Sequence, residues 1–234
     1  SIEGFEEGHM ADQVQAAHTE GRVSVGMVGH MYEDAWQIRG YEQFLEDMML
    51  QPDWCEYILD RLVEQNIKKA EAAARAGVDM LRTGDDVASQ SNLMFPPDLW
   101  RRFIKSRWAK VYEAARKIKP DIEIWYHSDG NIIDIIPELI DIGVTILNPI
   151  QPECMDLNEI KKKWGDKLVL DGTIGTQSTM PYESADQVRE TVRQRKRELG
   201  QDGALILSPT HTLEPDVPPE NIDAFAEAAK ESEH

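Results

Sequence analysis

Six short apolar runs punctuate the chain: VSVGMVG from Val23, VDMLRTG from Val78, IEIWYH from Ile122, VTILNP from Val144, LVLDG from Leu168 and ALILSP from Ala204. Each has strand length, and turn-forming Gly, Pro, Asn or Asp residues lie close by. Between them, apolar residues recur at helical spacing. The longest such stretch is QFLEDMMLQPDWCEYILDRLVEQNIKKAEAAARAG, with Gly77 as its C-terminal stop. PPDLWRRFIKSRWAKVYEAARKI, IIDIIPELIDIG, DLNEIKKKWG and ADQVRETVRQRKRELG read the same way. Strand and helix in strict alternation predict an α/β fold, with a parallel sheet covered by helices.

Two architectures accommodate that alternation, an open doubly wound sheet and a (β/α)8 barrel. No Gly-x-Gly-x-x-Gly comes after any run, which weakens the nucleotide-binding open sheet. From the second onward, the runs lead into polar segments: GDD, HSDGN, NPIQPE, DGTIGTQ and SPTHTLEPD. A TIM-type barrel keeps its active site at those strand ends. The expectation is therefore a single (β/α)8 barrel domain spanning 1–234, with six of its strands visible and two either hidden or missing.

IEIWYHSDGN (122–131) concentrates the candidate chemistry. Residues i and i+2 of a strand point the same way, so His127 and Asp129 can converge on a metal or a substrate. The competing reading is an ordinary Asp-Gly turn. Asp85 and Asp86 either hold a substrate amine or hydroxyl or cap the following helix. Gln151 and Glu153 come after another strand, where Glu153 is a candidate ligand or base, and His30 and Tyr32 come after the first. Arg82 requires a carboxylate partner if buried, either an anionic substrate or Asp85.

Composition narrows the partners. A net charge of −18, from 43 acidic against 25 basic residues, argues against nucleic acid and anionic membrane, both of which need a basic face. Cys55 and Cys154 are too few for a disulfide framework. With neither a signal-peptide pattern nor a run of membrane-spanning length, the expected location is the cytoplasm.

Four ordered segments carry a family resemblance: GVDMLRTGDDVASQSNLMFPPDLWRRFIKSRWAKVYEAARK, YHSDGNIIDIIPELIDIGVTILNPIQPE, LVLDGTIGTQ and SPTHTLEPDVPPENI. From about Ala16 to Glu227 the chain resembles the uroporphyrinogen decarboxylase superfamily, which includes the methylcobamide:coenzyme M and related corrinoid-dependent methyltransferases. Members of that superfamily carry a further N-terminal stretch with the first barrel strands. SIEGFEEGHM is accordingly expected to be a truncated start, and exposed strand edges would then favour a homodimer.

The resemblance implies two chemistries. The methyltransferases bind zinc through a His-x-Cys and a later Cys. His127 matches the first ligand, Asp129 stands at the first cysteine, and His211 stands at the second. The decarboxylases' Lys-Asp-Gly is matched by Asp129 and Gly130, and their late functional histidine by His211. Their early Arg-x-x-Gly-Arg has no counterpart in this sequence. The implied function is corrinoid-dependent methyl transfer to or from a small molecule, with zinc on His127, Asp129 and His211. A methylcobalamin or other corrinoid co-substrate and a corrinoid carrier protein are implied with it. Decarboxylation of a polycarboxylic substrate through Asp86, Asp129 and His211 is the alternative. A non-catalytic corrinoid- or carrier-binding barrel is the third reading.

Overall fold

The protein is described from a computed structural model covering residues 7–231. All six apolar runs form strands: β1 (Val25–Gly29), β2 (Met80–Gly84), β3 (Glu123–His127), β4 (Ile146–Asn148), β5 (Val169–Asp171) and β6 (Leu205–Ile206). They lie in the order β1-β2-β3 in one part of the chain and β4-β5-β6 in the other, with neighbours parallel in both. Sequence order equal to spatial order is the signature of successive βα units.

The chain forms two compact units. The first comprises Ser1–Val87, Met94–His127 and Asp134–Thr145. It carries β1–β3 with α1 (Glu7–Thr19), α2 (Tyr32–Arg39), α3 (Tyr41–Leu50), α4 (Pro52–Ala76), α5 (Pro97–Trp100), α6 (Ser106–Ile118) and α7 (Ile136–Asp141). One face of β1–β3 is buried through Val28, Leu81, Thr83, Ile124 and Tyr126. Gly26 lets α4 approach that face, since a Cβ there would stand 2.8 Å from Ala73 Cβ. From α6, Trp108 meets the edge of Tyr126, and the Tyr112 hydroxyl pairs with Thr83 Oγ1 at 2.9 Å. The opposite face exposes Val25 and Met27.

The long helical stretch divides at Gln51. Pro52 has no N–H with which to continue α3, but it suits the first turn of α4. Gly77, at φ 86°, closes α4 by donating to the carbonyls of Ala73 and Ala74. A π-type turn over Arg101–Lys105 separates α5 from α6. The expected helix over IIDIIPELIDIG shrinks to a 3₁₀ turn and the six residues of α7. Of the segment expected to be a truncated start, residues 1–6 lie outside the described residues, and α1 begins at Glu7.

The second unit comprises Ala88–Leu93, Ser128–Ile133 and Ile146–His234. It carries β4–β6 with α8 (Leu157–Trp164), α9 (Thr179–Tyr182), α10 (Ala185–Leu199) and α11 (Pro219–Lys230). Asp156 caps α8, and Ser184 with Gln187 forms a capping box on α10. α10 and α11 pack together, and the buried cluster here includes Ile174, Met180, Val188, Val192 and Ala224. Asn221 donates to the carbonyls of Met180 and Glu183, both at 2.8 Å, and so ties α11 to α9.

Candidate functional site

Polar side chains of the first unit gather where β1–β3 end. Asp85, the residue after β2, is wholly buried. Its Oδ1 accepts the amides of Met31, Tyr32 and Glu33 at 2.7, 2.7 and 3.2 Å, and its Oδ2 accepts Trp108 Nε1 at 2.8 Å. It therefore caps α2 from a distant strand. Burial pushes its carboxyl up, to about 7, against the lowering pull of those donors. His30 Nδ1 lies 2.9 Å from Glu33 Oε1 and 3.0 Å from the Gly84 carbonyl. Glu33 Oε1 also accepts the Asp86 amide at 3.0 Å. Asp86 Oδ1 in turn lies 3.6 Å from His127 Nε2.

His127 ends β3 on the same face as Trp125, and their rings stack at 5.7 Å with an interplanar angle of 11°. The Arg82 guanidinium lies over Trp125, 4.5 Å from the ring centroid. A side chain on Gly84 would put its Cβ 2.3 Å from the His127 carbonyl oxygen, so glycine is required where β2 passes that histidine.

In the second unit, Asp129 opens a turn in which Gly130 takes φ 86°. A Cβ on Gly130 would stand 2.4 Å from the Ser89 carbonyl oxygen. Gln151, buried, accepts the Gly130 amide at 3.1 Å and holds that turn. Glu153 Oε1 accepts Ser178 Oγ at 2.6 Å, while its Oε2 is buried with no hydrogen-bond partner among the described residues. Burial, with Glu153 and Asp129 nearby, pushes the Cys154 thiol up and disfavours a thiolate there. His211 is exposed after β6, beside Thr210, whose hydroxyl accepts the Thr176 amide at 3.1 Å.

Asp129 and His211 belong to this second unit, and His127 is joined to Asp129 through Ser128 alone. Within the second unit, a donor atom of Asp129 lies within 4.8 Å of one from His211, and His127 precedes Asp129 by two positions along the chain. Two imidazoles and a carboxylate suit zinc, whose reactive sites use three protein ligands and leave a fourth position open. His30, Glu33 and Asp85 form a second group at that spacing. There Asp85 already serves four donors, so a cation would have to strip the cap from α2.

Other expected residues have structural partners. Tyr32, singled out after the first strand, is wholly buried against Phe44 and Phe95 at 5.9 and 5.2 Å. Asp85 holds α2 and does not pair with Arg82, and Gln151 holds the Gly130 turn. Arg82 is exposed on the opposite face from Leu81, so the condition for a buried partner does not arise. Three contributors escaped the sequence reading: Glu33, Trp125 and Trp108. An i,i+3 His-Glu spacing was the available signal for Glu33.

Parallel βα units with acid/base and metal-donor groups at their C-terminal strand ends define a class of α/β protein with the site placed as in a barrel. The uroporphyrinogen decarboxylase (URO-D) family model matches residues 26–232, and the chain belongs to that family. It is 27% identical over 191 residues to a methylcobamide:CoM methyltransferase MtaA from Methanosarcina barkeri, covering 81% of this chain and 52% of that protein. It is 23% identical over 189 residues to a uroporphyrinogen decarboxylase from Hydrogenovibrio crunogenus, covering 77% and 49%. A solved methyltransferase from Methanosarcina mazei superposes with a TM-score of 0.70 at 25% identity, over 88% of this chain and 57% of that one. The chain thus spans about half the length of the curated relatives it matches. Among the described residues, no helix is long and apolar enough to cross a membrane.

Proposed function

We propose that this chain provides the metal-binding part of a corrinoid-dependent methyltransferase, with zinc held by His127, Asp129 and His211. The approach of Asp129 to His211 within the second unit, with His127 two positions before Asp129, carries the reading. Bound there, zinc would supply a Lewis acid able to lower the pKa of an acceptor such as a thiol. The protein's own part is positional. Trp125 fixes the plane of the His127 ring, Gly84 lets β2 pass it closely, and the Gly130 turn held by Gln151 presents Asp129. Glu153, whose buried Oε2 has no partner among the described residues and which shares a unit with Asp129, is the reserve fourth donor. On this reading the partners are a small-molecule acceptor or donor, a methylated corrinoid as co-substrate and the protein that carries it. The names of the relatives above support that assignment.

Decarboxylation of a polycarboxylic substrate is the second reading, favoured by the relative of that name and by Asp129–Gly130. Asp86 or Asp129 would then face substrate, with no metal required. Elemental analysis and zinc titration of the purified chain separate the two. One equivalent of zinc, lost in His211→Ala and Asp129→Ala, is the expected result. A chain that binds no zinc at any concentration where its fold persists would overturn the first reading in favour of the second.

A further inference from the structure

The His30–Glu33 pair is a built feature that the metal reading leaves unused. Both neighbours of His30 Nδ1, Glu33 Oε1 and the Gly84 carbonyl, are acceptors, so Nδ1 carries a hydrogen. The Asp86 amide bonds Glu33 Oε1 as well and keeps the carboxylate from swinging away. α2 does not need this pair for capping, because Asp85 Oδ1 already takes its first amides. The ring is held, yet its side chain remains 41% exposed, and Nε2 has no protein partner among the described residues.

We propose that His30, fixed by Glu33, donates a hydrogen bond from Nε2 to an anionic oxygen of the small-molecule substrate. The inference rests on the proposed function only in placing that substrate at the C-terminal ends of β1 and β2. The bond to Glu33 raises His30 to about 9 against the opposing effect of burial. Burial acts to raise Glu33, but the bonds from His30 and the Asp86 amide hold it below its usual value. The ring is therefore an imidazolium at neutral pH, with both nitrogens protonated. The charged groups around it are Glu33 and Asp34 from α2, Asp85 after β2, and Lys69 from α4. Glu33 is neutralised by the ring itself, and Asp85 is occupied by its four donors. Arg82, two residues before Gly84 on the same face of β2, adds an exposed cation with no carboxylate partner among the described residues.

The test is an NMR titration of the full chain, labelled with 15N in its histidine rings, using acetate and inorganic phosphate at pH 7. A saturable shift of the His30 Nε2 resonance is expected with at least one of the two anions. Binding should weaken about 10- to 100-fold in Glu33→Gln, and it should fade as pH rises through about 9. His30→Gln should bind neither anion while keeping its thermal midpoint. Its zinc affinity should stay within about twofold of wild type, since the ring is not a ligand. An unsaturable shift in the wild type, or undiminished binding in His30→Gln, overturns the proposal. Loss of the zinc result alone overturns the metal reading and leaves this one standing.

Discussion

A methyl group on Gly84 would have nowhere to go: its φ is 149°, and the added carbon would lie within 2.7 Å of three His127 atoms. Gly84→Ala should cost about 2–4 kcal/mol in urea unfolding, through overpacking and backbone strain. It should weaken zinc binding as well, because His127 must move. Asp129 separates the roles more cleanly. Asp129→Ala should lower zinc affinity at least about tenfold, since the cation loses its charged ligand. Asp129→Cys, supplying a softer thiolate, should raise it; isothermal titration reads both. Equal affinity in both variants would remove Asp129 from the ligand set. At this scale the sequence was legible where chemistry lies close along the chain, as in His127-Ser128-Asp129-Gly130. Of the two readings of Asp-Gly, Gly130 makes the turn, while Asp129 as a ligand belongs to the proposal. Glu33 was legible only in part: its i,i+3 spacing to His30 is local, but the Asp86 amide it also accepts comes from some fifty positions away.

At the level of elements, two carboxylates tie strands to helices. Asp85→Ala should uncap α2 and strand Trp108 Nε1, at a cost of about 2–5 kcal/mol with selective loss of order in Met31–Arg39. Asp79 links the start of β2 to Ser24 and His18, accepting Ser24 N and Oγ at 2.7 Å and His18 Nε2 at 2.9 Å. Burial acts to raise its pKa, but those bonds win and hold it at about 2, below the ordinary 3.8. A depressed folded value means that the stabilisation is complete above 3.8 and is lost as pH falls toward 2. The difference in thermal midpoint between wild type and Asp79→Asn should therefore shrink across that window. A gap that stays constant would show that the tie is not electrostatic. Strands were readable because β-type runs ended in turn residues. The break between α3 and α4 was missed because apolar spacing continues straight through Pro52, where the backbone cannot.

For the whole molecule, charge and exposed apolar surface set the behaviour. With a sequence pI near 4.7, solubility should be lowest around that pH and recover on either side, as turbidity would show. β1 stands at one end of the strand order, with Val25 46% and Met27 59% exposed. An apolar strand at an edge favours self-association. Sedimentation should show a concentration-dependent larger species that Met27→Lys reduces; identical profiles would exonerate the edge. Fold class and strand order were legible from the alternation of runs, since each βα unit repeats one local pattern. The candidate metal group was legible only through family resemblance, because His211 lies far along the chain from His127 and no local pattern joins them.

The three amides that end on a single Asp85 oxygen also make a clock. Because Met31, Tyr32 and Glu33 share one acceptor, the opening that frees one of them frees all three. Their protons should exchange with deuterated water at a common rate, slow in the resting chain. A ligand seated against His30 should lengthen that shared lifetime in step, so that the start of α2 reports occupancy without a dye or an assay.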